Sequence, residues 1–150
     1  MRAVVQRVVN ACVSVDGRTV GKIDSGLLVY LGVEDSDNEI ICRKMADKIR
    51  RLRIFRDEND KMNLSVQDAG GSVLVVSQFT LYADLHKGNR PSFDSAGKPE
   101  HANSLYERFI EIMKEEGIHT EHGEFGADMM VSYTNCGPVT IIADSEDLFR

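Results

Sequence analysis

A chain of 150 residues, 42% hydrophobic and 28% charged, is long enough for one domain with a real core and too apolar for a disordered segment. Its net charge of −6 argues against indiscriminate nucleic-acid binding, although a local basic face can still dock RNA. No apolar run nears the ~20 residues of a membrane span, the N-terminus does not read as a signal peptide, and three scattered cysteines (Cys12, Cys42, Cys136) fit a reducing cytoplasm better than a disulfide framework or a zinc site.

Arg2 to Val8 and Ala11 to Val15 read as two strands. Asp16-Gly17 is a hairpin signal, Thr19 to Ile23 the return strand, and Ser25-Gly26 a further turn before the buried strand Leu27 to Val33. Ser36 and Glu39 have capping-box spacing and predict a helix to about Leu52, with Ile41, Met45, Ile49 and Leu52 on its core face. Arg43, Lys44, Lys48, Arg50, Arg51, Arg53 and Arg56 crowd the same stretch, opposed within it only by Asp47. Two readings stand for these cations, a solvated helix face or a phosphate-contacting surface. Arg53 to Phe55 predicts a short strand and Met62 to Ala69 an irregular segment. Val73 to Val76 is the most apolar run, read as a central strand buried on both faces. A polar loop, Leu85 to Glu100, leads to a second helix that starts at Pro99, carries Leu105, Phe109, Ile112 and Met113, and stops at Gly117. Ile118 to Glu121 and Met130 to Thr134 predict strands. Asn135 to Pro138 breaks the second, Val139 to Ala143 resumes it, and the tail from Asp144 frays. The class is α+β: a single domain over 1–150, with antiparallel or mixed, barrel-like β-sheet packed against two main helices.

Polar residues follow directly on the most apolar strand: Ser77, Gln78, Phe79 and Thr80. Such a junction is either an ordinary strand end or one wall of a site held on a rigid element. Thr80 is a candidate nucleophile, but no activating base is evident in sequence. His119 and His122 lack a third ligand at useful spacing, and His86 and His101 lack an evident orienting carboxylate, so neither metal nor cofactor is expected. Cys136 lacks a nearby base and reads as a small packed residue or a nucleophile still to be tested. Gly137-Pro138 is either a tight turn or a bare backbone that lets a ligand approach closely.

Ser77-Gln78-Phe79-Thr80-Leu81 and Asn135-Cys136-Gly137-Pro138-Val139-Thr140 together resemble the two signature segments of D-aminoacyl-tRNA deacylases. The resemblance extends over nearly the whole chain, including Met1 to Val8, Leu52 to Phe55, Lys61 to Ser65, Lys87 to Phe93 and Phe125 to Met129. Cys136 departs from it, standing where many bacterial members are expected to carry Asp. The resemblance implies a cytoplasmic homodimer acting on aminoacyl-tRNA, with two sites at the subunit interface and hydrolysis of the ester of a D-amino acid to the terminal adenosine. It implies that Gly137-Pro138, with a cis peptide bond, reaches into the other subunit's pocket, holds the α-amino group and bars L side chains. Ser77, Gln78, Phe79 and Thr80 would line the reacting end, with backbone N–H groups on the oxyanion, and the ribose 2′-OH of the tRNA would activate water. Phe125, Ala127 and Met129 would hold the adenine, and Arg50, Arg51, Lys87 and Arg90 would meet the tRNA backbone. The other reading is a non-catalytic nucleic-acid-binding or scaffold protein of the same fold.

Overall fold

A computed structural model describes residues 1–149. Its five-stranded sheet runs in the order β6-β5-β2-β1-β7. Strands β1 (Arg2–Val15) and β2 (Arg18–Gly32) form one long antiparallel hairpin about Asp16-Gly17, and β7 (Met130–Asp144) lies antiparallel on the other side of β1. Strands β5 (Ser72–Ser77) and β6 (Thr120–His122) run parallel to β2. Parallel neighbours need crossovers, and here the crossovers carry α1 (Glu39–Arg50) and α2 (Pro99–Glu115). A small antiparallel pair, β3 (Phe55–Arg56) and β4 (Met62–Leu64), sits in the first crossover; β3 overlaps the short strand predicted at Arg53–Phe55, while β4 replaces the start of the irregular segment predicted over 62–69. The α+β class with a mixed sheet and two main helices therefore holds. The sheet is bent rather than closed, because β6 and β7 are its free edges.

The bend explains two expectations that the structure corrects. Sequence signals near Val9-Asn10 and at Ser25-Gly26 predict a strand break and a turn, yet both strands continue. What changes there is the face that is buried. Ala3, Val5, Leu27, Val29 and Leu31 pack against α1 and α2. Ala11, Val13 and Ile23 instead join Val8, Leu28, Leu74 and Val76 in a second cluster on the reverse side. A strand presents alternate residues to one face, so each strand must lose one step of alternation to do this. Asn10 does so at φ 53° in β1, and Gly26, which pairs with Val8, does so at φ 145° in β2. Gly26 is needed there because a Cβ would collide with the Ser72 carbonyl of β5.

Helix α1 is capped by Asn38, whose Oδ1 accepts from the Ile41 N–H at 3.0 Å, and not by the predicted Ser36–Glu39 box. Glu39 pairs across to Arg108 of α2 instead (3.0 Å). The face of α1 turned to α2 carries Cys42 and Ala46 beside Met45 and Ile49. These small side chains let the helices close up until the Cys42 thiol reaches the Leu105 carbonyl. Burial there pushes the Cys42 thiol up to about 12, which leaves it inert.

The segment from Asp144, expected to fray, is tied down. Asp144 accepts from the Glu146 N–H and caps a final turn, α3 (Ser145–Leu148). Ser145 is buried, and its hydroxyl accepts from the Met1 ammonium at 2.8 Å. That ammonium is fully covered and also donates to Asp37 Oδ1 at 2.6 Å. Asp37 is itself buried and holds the Glu34 N–H. Breaking a buried ion pair from one side strands the other charge. Asp37→Ala is therefore expected to lower stability by about 3–5 kcal/mol, read as a fall in the urea midpoint at unchanged slope.

Candidate active site

The site is set where β5 stops pairing. The run Val73–Val76 is buried on both faces, as its composition predicts, although β5 is second from an edge and β2 is the central strand. Its ladder with β2 ends at the bond from Gln78 N–H to Leu31 O (2.8 Å). Beyond it the chain coils into a short 3-10 helix, Phe79–Tyr82, packed on Gly32. Arg2 pins this turn. Its guanidinium donates to Leu81 O (3.2 Å), lies 4.5 Å from the centroid of the Tyr82 ring and is held by Asp144 (2.7 Å). Buried Tyr82 also donates to Glu34, so the 3-10 turn is tied to the covered N-terminus.

The turn leaves Phe79 and Thr80 exposed and Ser77 and Gln78 half-buried. Phe79, 58% exposed, stands edge-on to Phe93 with centroids 5.1 Å apart. An aromatic of that size left open beside a cleft is better suited to a ligand than to the core. The cleft, of about 530 Å³, is lined by Ser77, Gln78, Phe79, Phe93, Tyr106 and Phe125 among others. Tyr106 lies on α2 just off the predicted stripe, which is why periodicity missed it. It donates to Val75 O (3.1 Å), and burial pushes its phenol up, so it stays a neutral donor. Of the expected adenine residues, Phe125 lines the cleft, and Gly126 does so as well. Ala127 and Met129 do not, and Met129 packs with the reverse cluster.

The donors at the strand end are not equivalent. Gln78 N–H is already committed to Leu31 O. Phe79 and Thr80 begin the 3-10 helix, where no preceding turn supplies acceptors, so their N–H groups are the ones left open to an external acceptor. The Thr80 hydroxyl sits 2.6 Å from Gln78 Nε2. An amide donates to it but cannot take its proton.

The polar loop is more ordered than its composition predicts. Asp84 and Ser92 exchange both backbone bonds (2.7 and 3.0 Å), leaving Lys87 and Arg90 on an exposed tip. His86 does have a carboxylate, that of Asp84. The backbone N–H of His86, then its ring, holds that carboxyl below the usual range. Arg50 is not a free cation, being paired with Asp47 (2.9 Å) and Glu116 (3.1 Å), whereas Arg51 is exposed. His119 lies near Glu121, while the His122 ring contacts its neighbour's carbonyl, so the two imidazoles do not share a site.

Gly137 and Pro138 are elsewhere, exposed on edge strand β7 and absent from the cleft lining. Their peptide bond is cis, and Gly137 has φ 131°. Opposite them the β1–β7 register jumps from Gln6↔Thr140 to Val8↔Asn135, so residues 136–139 leave the ladder. Arg7 holds this excursion, donating to Cys136 O (3.1 Å) and to Ile54 O (2.7 Å). Sequence reading passed over Arg7, whose position in an alternating strand gives no sign of a long-range contact.

A family model described as D-Tyr-tRNA(Tyr) deacylase matches residues 4–144. That match places the chain among hydrolases that act on aminoacyl-tRNA. The chain belongs to the D-Tyr-tRNA(Tyr) deacylase family. It is 56% identical over 149 residues to the D-aminoacyl-tRNA deacylase of Clostridioides difficile, and equally so to that of Thermotoga petrophila, covering 99% of this chain and 100% of each relative. A solved structure described as c-Myc DNA Unwinding Element Binding Protein is 40% identical, with a TM-score of 0.89 over 96% of this chain and 98% of that one. Another, described as a probable eukaryotic D-amino acid tRNA deacylase, shares the fold at 16% identity and a TM-score of 0.82, over 95% of this chain and 97% of that one.

A Cβ on Gly137 would lie 2.9 Å from Val139 Cγ2 and 3.1 Å from Arg7 Nη2, at a φ that L side chains rarely adopt. Gly137→Ala is therefore expected to displace the segment and cut turnover of a D-aminoacyl-tRNA by about tenfold or more. Steady-state kinetics, with the fold checked by circular dichroism, measures this.

Proposed function

We propose that the protein hydrolyses the ester of D-aminoacyl-tRNA to free D-amino acid and tRNA, as a check on chirality in translation. One observation carries the reading. The cleft beside Ser77–Phe79 offers backbone donors and aromatic walls, while Thr80 lacks a base among its recorded partners. Such a wall can bind the 3′ end and stabilise an oxyanion, with the ribose 2′-OH of the substrate activating the water. Phe79 and Thr80 N–H groups are the oxyanion donors, each worth about 3 kcal/mol in comparable sites. Phe125 and the exposed Phe79 face the adenine. The selecting half, Gly137-Pro138, comes from a second copy. Free edge β7, with Met130 and Ile142 exposed along it, supports a homodimer that brings the two halves together. Arg51, Lys87 and Arg90 contact the tRNA backbone, and the fully paired Arg50 is left out of that role. No described helix is long and apolar enough to cross a membrane, and we propose a cytoplasmic, single-domain enzyme.

A wall that works by excluding an L side chain cannot exclude glycine, which has none. Glycine mischarged on the alanine tRNA is therefore a second substrate. The test compares D-tyrosyl-, L-tyrosyl- and glycyl-tRNA with purified protein. D and glycyl esters should be cleared and the L ester spared, and survival of the D ester at the uncatalysed rate would refute the enzyme. Thr80→Ala should retain activity within about tenfold, as expected for loss of a neutral hydroxyl contact, whereas complete loss with the fold intact would make Thr80 the nucleophile.

The 40%-identical structural relative named for binding a DNA element supports a second reading, a nucleic-acid binder without catalysis. Tight tRNA binding with no hydrolysis of any ester would favour it. In either case Arg51→Ala/Lys87→Ala/Arg90→Ala should flatten the slope of log affinity against log salt by roughly 2, measured by filter binding.

A further inference from the structure

The excursion that carries Gly137-Pro138 leaves the sheet through a narrow neck. On β1 one residue separates Gln6 from Val8, while on β7 four residues, Cys136 to Val139, separate Asn135 from Thr140. Both sides of the neck are joined by side chains. Asn135 uses both ends of its amide: Oδ1 accepts from the Val139 N–H at 3.0 Å, and Nδ2 donates to Thr140 Oγ1 at 3.0 Å. The same Thr140 oxygen accepts from Gln6 Nε2 at 3.0 Å. From β1, Arg7 holds the Cys136 carbonyl at the foot of the excursion. Gly137 and Pro138 themselves are exposed, so the excursion is held at its base and open at its tip.

We propose that Asn135, Thr140 and Gln6 form a polar clasp that fixes where Gly137-Pro138 stands, and that they are positioning residues for selection by hand. This rests on the reading of that segment as the wall that bars L side chains. A steric wall discriminates only as well as it resists being pushed, and an ångström of give at a reacting centre changes rates by orders of magnitude. A four-residue excursion with a bare glycine has little stiffness of its own. The chemistry of the neck suits stiffening. A carboxamide both accepts and donates, and a hydroxyl oxygen has two lone pairs, enough for the two amides that meet at Thr140. An Asn at an ordinary strand break would need only the bond to the Val139 N–H. The bonds from Asn135 and Gln6 to Thr140 go beyond that need, and they lock the excursion to the neighbouring strand.

The experiment measures kcat/KM on D-tyrosyl- and L-tyrosyl-tRNA for Thr140→Val, Thr140→Ser, Asn135→Ala and Gln6→Met, with unfolding midpoints alongside. Thr140→Val leaves both amides without their acceptor, and the D-to-L ratio should fall roughly tenfold, the size of about two net hydrogen bonds. Asn135→Ala should do the same. Gln6→Met, which removes one bond, should fall less, and Thr140→Ser should keep the ratio within about twofold because the hydroxyl remains. A purely structural role would lower the midpoint or the rate and leave the ratio alone. An unchanged ratio in Thr140→Val and Asn135→Ala overturns the clasp, and if either fails to fold, an unchanged ratio in Gln6→Met does so. Gly137→Ala separates the two levels. If it too leaves D turnover untouched, the wall reading itself falls, whereas if it alone disturbs turnover, only the clasp does.

Discussion

The antiparallel ladder between β1 and β7 departs from regularity twice. At Asn10 one extra residue of β1 opposes β7, and between Gln6 and Val8 an excursion of β7 opposes β1. The first irregularity, matched by Gly26 in β2, moves the buried side chains of the hairpin from one face of the sheet to the other. It lets one sheet carry both the helix-covered core and the reverse cluster. The second irregularity projects a glycine and a proline beyond the ladder, a placement regular pairing would not allow. A regular ladder would have been more stable locally, but it would have had one core and a smooth edge.

A second set of contacts holds the strand end that borders the cleft. The covered ammonium of Met1 meets Asp37 and Ser145, and Arg2 meets Asp144, Leu81 and Tyr82. Residues from the start of β1, the loop before α1, the 3-10 turn and the end of β7 therefore converge on one edge of the molecule. The 3-10 turn needs that anchorage. It has no side-chain cap and only four residues, too few to hold a helix by its own bonds. With it in place, Phe79 stays exposed above the cleft and does not collapse into the core.

In the proposed reading two halves divide the work: the strand end at Ser77–Thr80 would supply donors and aromatic surface, and the excursion at Gly137-Pro138 bare backbone. Neither would need a strong acid or base of its own if the substrate brings a hydroxyl. Family membership makes aminoacyl-tRNA the relevant substrate class.

Much of this was legible in the sequence. The β-branched run Val73–Val76 announced a doubly buried strand, the stripe from Leu105 to Met113 announced α2, and the two signature segments announced the family. These signals are local, because side-chain period and turn chemistry act over a few residues. The tertiary structure decided the rest. Asn10 and Gly26 read as breaks because a positive φ favours turns, and only the Ser72 backbone beside Gly26 makes that position a bend within a continuous strand. Ser36 and Glu39 had cap spacing, but Asn38 took the cap and Arg108 took Glu39, a choice made by the distant α2. The tail looked free until the Met1 ammonium claimed Ser145. Arg50 read as either a solvated or a phosphate-contacting cation, and the structure pairs it with Asp47 and the distant Glu116. In each case the deciding partner lay far along the chain, and a charge or a donor has no preference for partners near in sequence over partners near in space.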